Sequence, residues 1–351
     1  MVSFYTMYKV MEEYFIRSLD NIAQYFNLSP SVAGATLMAF GTSVPELSIA
    51  LFALFLPNAH ASTGLGSVVG SAMFQSFVVI GIAAIVKKLS LDWGTIVRDY
   101  TFYAIAVLVL LLTVQDGVIT FLEAFTLVTT YGLYLGVLLS WSRITNERHS
   151  TTPIRLVESQ IDTFNSKPSL LRSIWVFTTK PIDFFIDLMP NPEKKPKATV
   201  LVFMLSLIIM TSLSYILVIS SESIAEQINI PPAIIALTVL AGGSSLPELI
   251  GSTVLSHKDK GTMAFSNAIG SNVFALLVSF GLPVFLFTIF NGPVQGDGIA
   301  NVTPSILALL GSIFLLVFIF LKSKLVVDKP IGYVLLFLYL LYMIAVYTGI
   351  L

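Results

Sequence analysis

Two short stretches carry most of the chemistry in this sequence. Gly41-Thr42-Ser43-Val44-Pro45-Glu46 and Gly243-Ser244-Ser245-Leu246-Pro247-Glu248 each place a glutamate directly after a proline, with two hydroxyls just before it. Both glutamates lie inside otherwise apolar runs. A proline within a helix cannot donate to the carbonyl four residues earlier and clashes with it. Pro45 therefore releases the carbonyl of Gly41, and Pro247 releases that of Gly243. The glycines allow a bend, so that nearby backbone oxygens, those of Ala39 and Ala241 among them, can turn off the helix axis. Thr42, Ser43, Ser244 and Ser245 add hydroxyl oxygens beside them. Carboxylates, hydroxyls and carbonyls are hard donors that suit Ca²⁺, which takes about 6–8 oxygens, and Na⁺ by the same logic. A charge at bilayer depth costs on the order of 2.5–3.5 kcal/mol even on lenient scales and normally marks a functional path. Two glutamates brought together repel, and one keeps a proton unless a cation binds.

The two stretches are copies of one unit. Asn27-Leu-Ser-Pro30, Thr36 and Ala39 match Asn229-Ile-Pro-Pro232, Thr238 and Ala241 at the same offset as the two glutamates. After a loop two residues shorter in the second copy, Gly66-Ser-Val-Val-Gly-Ser71-Ala-Met-Phe-Gln75 matches Ser266-Asn-Ala-Ile-Gly-Ser271-Asn-Val-Phe-Ala275. Ser71 and Ser271 add hydroxyls, and Gln75 and Asn272 add amide oxygens. The Gly-Ser steps also let helices approach closely, at the small-xxx-small spacing of Gly66 with Gly70 and Ser266 with Gly270.

The elements that must position these groups are membrane helices. Of 351 residues, 56% are hydrophobic and only 11% charged, with a mean hydropathy of +0.87. A soluble domain carries about 25% charged residues, so an ordinary soluble enzyme and a disordered chain are excluded. A net charge of −1 gives no basic field for nucleic acid. With no cysteine, thiolate metal sites and cysteine nucleophiles are excluded too. Apolar runs long enough to cross a bilayer recur near 1–16, 28–56, 66–86, 99–115, 118–141, 199–221, 230–255, 261–291, 303–321 and 330–351. The first is interrupted by Lys9, Glu12 and Glu13 and carries no signal-peptide pattern. An all-α membrane protein of ten transmembrane helices is expected, as two five-helix halves at 1–141 and 199–351. A polar connector, 142–198, joins them and includes an amphipathic helix near 170–188. Eighteen of the 19 basic residues fall in loops of one parity, which makes those loops cytoplasmic and both termini non-cytoplasmic. Five spans separate the copies, so the second repeat enters the membrane inverted. Inverted repeats with interrupted helices build many secondary transporters, whose site lies at the repeat interface.

At these residues the chain resembles the cation/calcium exchanger superfamily, whose two inverted repeats carry G-[TS]-S-x-P-[ED] and G-S-x-x-x-[ND] elements. The resemblance covers nearly the whole chain and is strongest to the potassium-dependent sodium/calcium exchanger branch. Val32-Ala-Gly-Ala-Thr36, Arg98-Asp99, Trp141 and Gly281-Leu-Pro283 sit where that branch has similar residues. It implies an antiporter of Ca²⁺ and Na⁺ working by alternating access. Glu46 and Glu248 match its central carboxylates, and Thr42, Ser43, Ser71, Ser244, Ser245 and Ser271 match its hydroxyl ligands. Two positions depart from the pattern. Ala275 stands where the branch has an aspartate associated with potassium, and Gln75 where most members have asparagine. Alanine offers no ligand, which counts against potassium coupling.

Other readings compete. A divalent-cation/proton exchanger would use the same ligands, and a passive cation channel would need a continuous pore. An intramembrane hydrolase is disfavoured, because no Gly-x-Ser-x-Gly or His-Glu-x-x-His occurs. Lys9, Glu12 and Glu13 read as interfacial or mutually paired groups, and Glu123 as interfacial. The connector contains no EF-hand pattern and reads as a solvated linker. Expected partners are inorganic cations and the lipid bilayer of the plasma or an internal membrane. No cofactor, nucleic acid or protein partner is expected.

Overall fold

The computed structural model describes residues 2–25, 39–56, 60–91, 93–144, 198–257, 261–295 and 298–349, with isolated positions between 180 and 190. Most of the connector and of its expected amphipathic helix lies outside the described residues. The elements are α1 (2–25), α2 (Ala39–Thr42), α3 (Val44–Phe55), α4 (Ala61–Val86), α5 (Trp93–Val114), α6 (Phe121–Ile144), α7 (Thr199–Gln227), α8 (Pro232–Ser244), α9 (Leu246–His257), α10 (261–291), α11 (Thr303–Lys322) and α12 (Lys329–Tyr347). Among the described residues, seven helices are long and apolar enough to cross a membrane, and α3 and α8 are shorter apolar helices. The first helix runs to Tyr25, past the expected end at residue 16.

The chain breaks where its prolines require it. Pro45 sits in the first turn of α3, a position at which its missing N–H costs no hydrogen bond. Just before it, Ser43 leaves the helical region at φ −94°, ψ 10°. Ser245 breaks the second copy at nearly the same angles, φ −92°, ψ 8°. The breaks are short, since Leu47 N–H already bonds the carbonyl of Ser43 and Leu249 N–H that of Ser245. Three π-helical stretches lie against them: Gln75–Val79 in α4, Ala236–Leu240 in α8 and Ala275–Phe280 in α10. Such bulges insert an extra residue and re-aim side chains, often at functional sites.

Helices α4 and α10 form the centre, with 78% and 61% of their apolar windows buried, against 22% for α12. Apolar side chains left exposed on the outer helices, such as Leu112, Leu133, Phe290 and Phe314, are what a lipid-facing surface requires. Two minute antiparallel sheets tie the halves together. Strand β1 (Leu89–Ser90) pairs with β4 (Val326–Val327), and β2 (Val118–Ile119) with β3 (Val294–Gln295). In each pair, the strand following a central bent helix of one half meets the strand between the last two helices of the other. Helix α5, 22 residues and about 33 Å long, separates β1 from β2, so one pair lies at each end of it. A second hydrophobic cluster, apart from the main one, joins Met7, Val10 and Phe15 of α1 to Val202, Met210 and Val218 of α7, and reaches Val44, Ile49, Ala236 and Leu240.

Several isolated charges have structural partners. Lys9 pairs with Asp183 of the connector at 2.9 Å, and Tyr5 donates to the same carboxylate oxygen at 3.0 Å. Glu123 closes a capping box, accepting from the backbone N–H and hydroxyl of Thr120 at 2.8 and 2.7 Å. Arg98 donates to the buried Asp99 at 2.7 Å.

The closest approach at the centre belongs to Gly70. A Cβ there would lie 2.2 Å from the Leu237 carbonyl oxygen and 2.6 Å from its carbon, both backbone atoms that cannot swing aside. Gly132 on α6 has nothing within 4 Å of that position. Gly70→Ala is expected to destabilise the protein by about 1–3 kcal/mol or more through overpacking. Gly132→Ala is expected to be neutral or slightly stabilising. Unfolding midpoints of the two purified variants in detergent, measured at one scan rate, test the contrast.

Candidate cation site

The two breaks bring their glutamates to the middle of the protein, where Glu46 and Glu248 are both fully buried. They lie close enough to repel one another. Glu46 is held by donors from both halves of the chain. Ser71 of α4 donates to its Oε1 at 3.0 Å, and Ser245, at the α8–α9 break, donates to the same oxygen at 3.4 Å. The Ser71 and Ser245 hydroxyls also lie in contact with each other, and since each carries a single proton, at most two of these three contacts are full hydrogen bonds at once. Gln75 Nε2 donates to Ser71 Oγ at 3.3 Å, extending this network along α4. Thr42 lies beside Glu248, and Ser244 beside Glu46.

What remains without a hydrogen-bond partner here is all oxygen. These atoms are Ser43 Oγ, Glu46 Oε2, Gln75 Oε1, both carboxylate oxygens of Glu248, Ser271 Oγ and Asn272 Oδ1, each shielded from solvent. Buried polar atoms in native proteins are normally paired. A concentration of unpaired acceptors and hydroxyls around two carboxylates fits a site built to surround a hard cation. Among the described residues, no three His, Cys, Asp or Glu side chains cluster, and the two glutamates supply the negative charge of this set.

Not every residue expected from sequence presents a free oxygen. The carbonyl of Ala241 already accepts from Ser244 Oγ at 3.1 Å and from the N–H of Ser245 at 3.2 Å. Ala39 begins the described part of the first break, and its side chain lies outside the described residues. Ala275 is fully buried and contributes no polar side-chain atom. Gly66 and Gly70, on either side of the turn that precedes Ser71, bring α4 onto the backbone of Ala233 and Leu237. The second copy differs there: a Cβ on Gly270 would meet only the Tyr134 hydroxyl, at 3.7 Å.

Three supporting residues escaped the sequence reading. Asn272 Nδ2 donates to Ser76 Oγ at 3.1 Å and to the Ala72 carbonyl at 3.3 Å, and Ser76 Oγ lies 3.1 Å from Tyr103 OH. These bonds use the amide nitrogen and leave Asn272 Oδ1 turned to the free set. Ser279 donates to the carbonyl of Ser43 at 3.3 Å, pinning the first break to α10. Ser279 lies in the π-helical stretch Ala275–Phe280, where the regular helical count from Ser271 no longer holds. Ser76 and Tyr103 had no spacing signal either, because the π-helical turn at 75–79 shifts the register.

The sodium/calcium exchanger protein family matches residues 1–140 and 198–348, both arms of this site included. The chain belongs to that family. Among curated exchangers, the human sodium/potassium/calcium exchanger 5 is 29% identical over 400 aligned positions, which cover 94% of this chain and 78% of the relative. The sodium/potassium/calcium exchanger 1 of Gallus gallus is 23% identical, with 95% and 75% covered. Among solved structures, the sodium-calcium exchanger NCX_Mj soaked with 10 mM Na⁺ and zero Ca²⁺ superposes with a TM-score of 0.58 at 21% identity. The match covers 99% of this chain and 96% of that one, so the exchanger has the same fold. It is an integral membrane transporter of inorganic cations, and it stands with proteins that are not enzymes.

Tyr103→Phe removes one hydroxyl from the Ser76–Asn272 chain without changing the ring. It is expected to weaken cation binding about 2- to 10-fold, the worth of one neutral hydrogen bond, with thermal stability nearly unchanged. Isothermal titration of the purified variant with Ca²⁺ checks this, and an unaltered affinity would remove Asn272 orientation from the account of the site.

Proposed function

We propose that this exchanger is a secondary active antiporter that trades Ca²⁺ for Na⁺ by alternating access, with Glu46 and Glu248 as central ligands. The observation that carries the reading is the set of unpaired buried oxygens around two carboxylates at the seam between the repeats. Thr42, Ser43, Ser71, Ser244, Ser245 and Ser271 would supply hydroxyls, Gln75 and Asn272 amide oxygens, and the Ala39 and Ala241 region backbone carbonyls. One Ca²⁺ or a small number of monovalent ions can neutralise the same pair, so competition for shared ligands couples the two fluxes. We infer ten helices in two inverted five-helix halves, 1–141 and 199–351, joined by a cytoplasmic connector at 142–198, with both termini on the opposite side. The matching breaks at Ser43 and Ser245 and the reciprocal strand pairs favour that arrangement. The separate α1–α7 cluster, meeting the main core at the site, favours two bodies able to shift against each other.

Protons could replace Na⁺ on the same carboxylates, and both oxygens of Glu248 are free to take one. Uptake of ⁴⁵Ca²⁺ into reconstituted vesicles under imposed Na⁺, K⁺ and pH gradients separates the two. Uptake driven by outward Na⁺ is expected, and uptake that follows only the pH gradient would transfer the assignment to protons. Current without countertransport would indicate a channel.

In the same assay, Glu46→Gln and Glu248→Gln are each expected to lower Na⁺-driven uptake about 10- to 100-fold, the worth of one charge-assisted contact. Full activity in both variants would end the proposal. Potassium is expected to have little effect on the wild type. Ala275→Asp should confer a potassium response, and a variant no more responsive than wild type would discard Ala275 as the reason.

A further inference from the structure

Many buried serines away from the site fold back onto their own helix: Ser18 onto the Tyr14 carbonyl, Ser206 onto Val202, Ser214 onto Met210, Ser221 onto Val218 and Ser312 onto Leu309, all at 2.7–3.0 Å. Ser252 and Ser256 donate instead to the Ala264 and Ala83 carbonyls of neighbouring helices. Back-bonding is the ordinary way for a membrane serine to satisfy itself. Ser43 and Ser271 do not, and neither do two serines that no reading above assigns, Ser305 on the outer helix α11 and Ser67 on the central helix α4 beside Ser71. Ser67 is fully buried and its Oγ has no partner.

Its position puts it on a polar face of α4. Thr63, Ser67, Ser71 and Gln75 recur every fourth residue along α4, so they share one face, and all four are buried. Ser71 is already bonded to Glu46, and Ser67 lies one turn, about 6 Å, further toward the N-terminal end of α4. The face lies one residue, about 100°, round from the Gly66–Gly70 seam with α8. The polar stripe thus runs from the end of α4 near His60 to the glutamate pair. The corresponding face of α10 carries Asn267, Ser271, Ala275 and Ser279. At the position matching Ser67 it carries Asn267, whose amide donates to Ser252 Oγ at 3.5 Å, so the second copy has no hydroxyl there.

We propose that Ser67 is a further ion-contacting residue, an outer hydroxyl station through which a hard cation passes between the α4 N-terminal end and Glu46. The proposal rests on the exchange reading above, and its test separates the two. The chain has no cysteine, so S67C carries a single thiol on a clean background. In vesicles, S67C is expected to react with a membrane-impermeant cationic methanethiosulfonate from one side only, and saturating Ca²⁺ should slow the reaction several-fold. Ser67→Ala should raise the half-saturating Ca²⁺ concentration about 3- to 10-fold when Ca²⁺ is offered from that side. From the opposite side little change is expected, with maximal rate preserved; Ser67→Thr should restore the wild-type value and Ser312→Ala should change nothing. Reaction from neither side, reaction indifferent to Ca²⁺, or an equal shift from both sides would overturn the role of Ser67. A wild-type protein that shows no Na⁺-driven uptake would overturn the antiport reading instead, and Ca²⁺ protection of the thiol would still decide on Ser67.

Discussion

The structure is organised around one constraint: a carboxylate in a dry interior is tolerated only if something pairs with it. Glu46 meets that condition with hydroxyls drawn from two distant parts of the chain, Ser71 and Ser245. Those two serines converge only because α4 lies almost on the backbone of α8, at Gly70 against Leu237. The absence of a side chain at Gly70 is therefore part of the chemistry at Glu46. A helix break at Ser245 is needed as well, since an unbroken helix would carry that hydroxyl past the carboxylate.

Two related repeats have produced a site with unlike arms. On the Glu46 arm Ser71 is bonded to one carboxylate oxygen, Ser43 Oγ and Glu46 Oε2 are unpaired, and the helices are tightly docked. On the Glu248 arm both carboxylate oxygens and Ser271 Oγ are unpaired, and Gly270 has room around it. The side chains at the two copies are mostly of the same kind, so the difference lies in how closely the helices approach. Inequivalence of this sort is what alternation between two orientations requires, because each arm must exchange tight and open packing with the other.

Much of this was legible because the repeat states its own geometry twice. Proline next to glutamate fixed both breaks, and the structure places them at Ser43 and Ser245 with backbone angles that differ by about 2°. What escaped was register and partnership. The π-helical turns add a residue per turn, so counting by 3.6 could not bring Ser76 and Tyr103 to Asn272. Glu123 was readable as the end of a Thr-x-x-Glu capping box, yet its membrane setting drew attention to the interface instead. Lys9 found its partner in Asp183 of the connector, 174 residues away, a pairing that no local spacing announces. Nor does a residue list distinguish a serine bonded to its own helix from one turned toward an ion; that depends on which acceptors the fold leaves in reach.

Charge balance sets the remaining limit. In the exchange proposed here the glutamates supply a formal charge of two, which one Ca²⁺ or two monovalent ions cancel. Ala275 contributes nothing to that charge, and Gln75 contributes only a neutral oxygen. Any additional cation bound at the same time would have to be held by Ser43, Ser271, Asn272 and neighbouring carbonyls alone, in a medium that screens its charge poorly. Neutral oxygens replace hydration well enough for weakly held ions in transit, and poorly for a tightly held extra charge. The same reasoning makes a lone hydroxyl such as that of Ser67 suited to passing an ion along rather than to storing it.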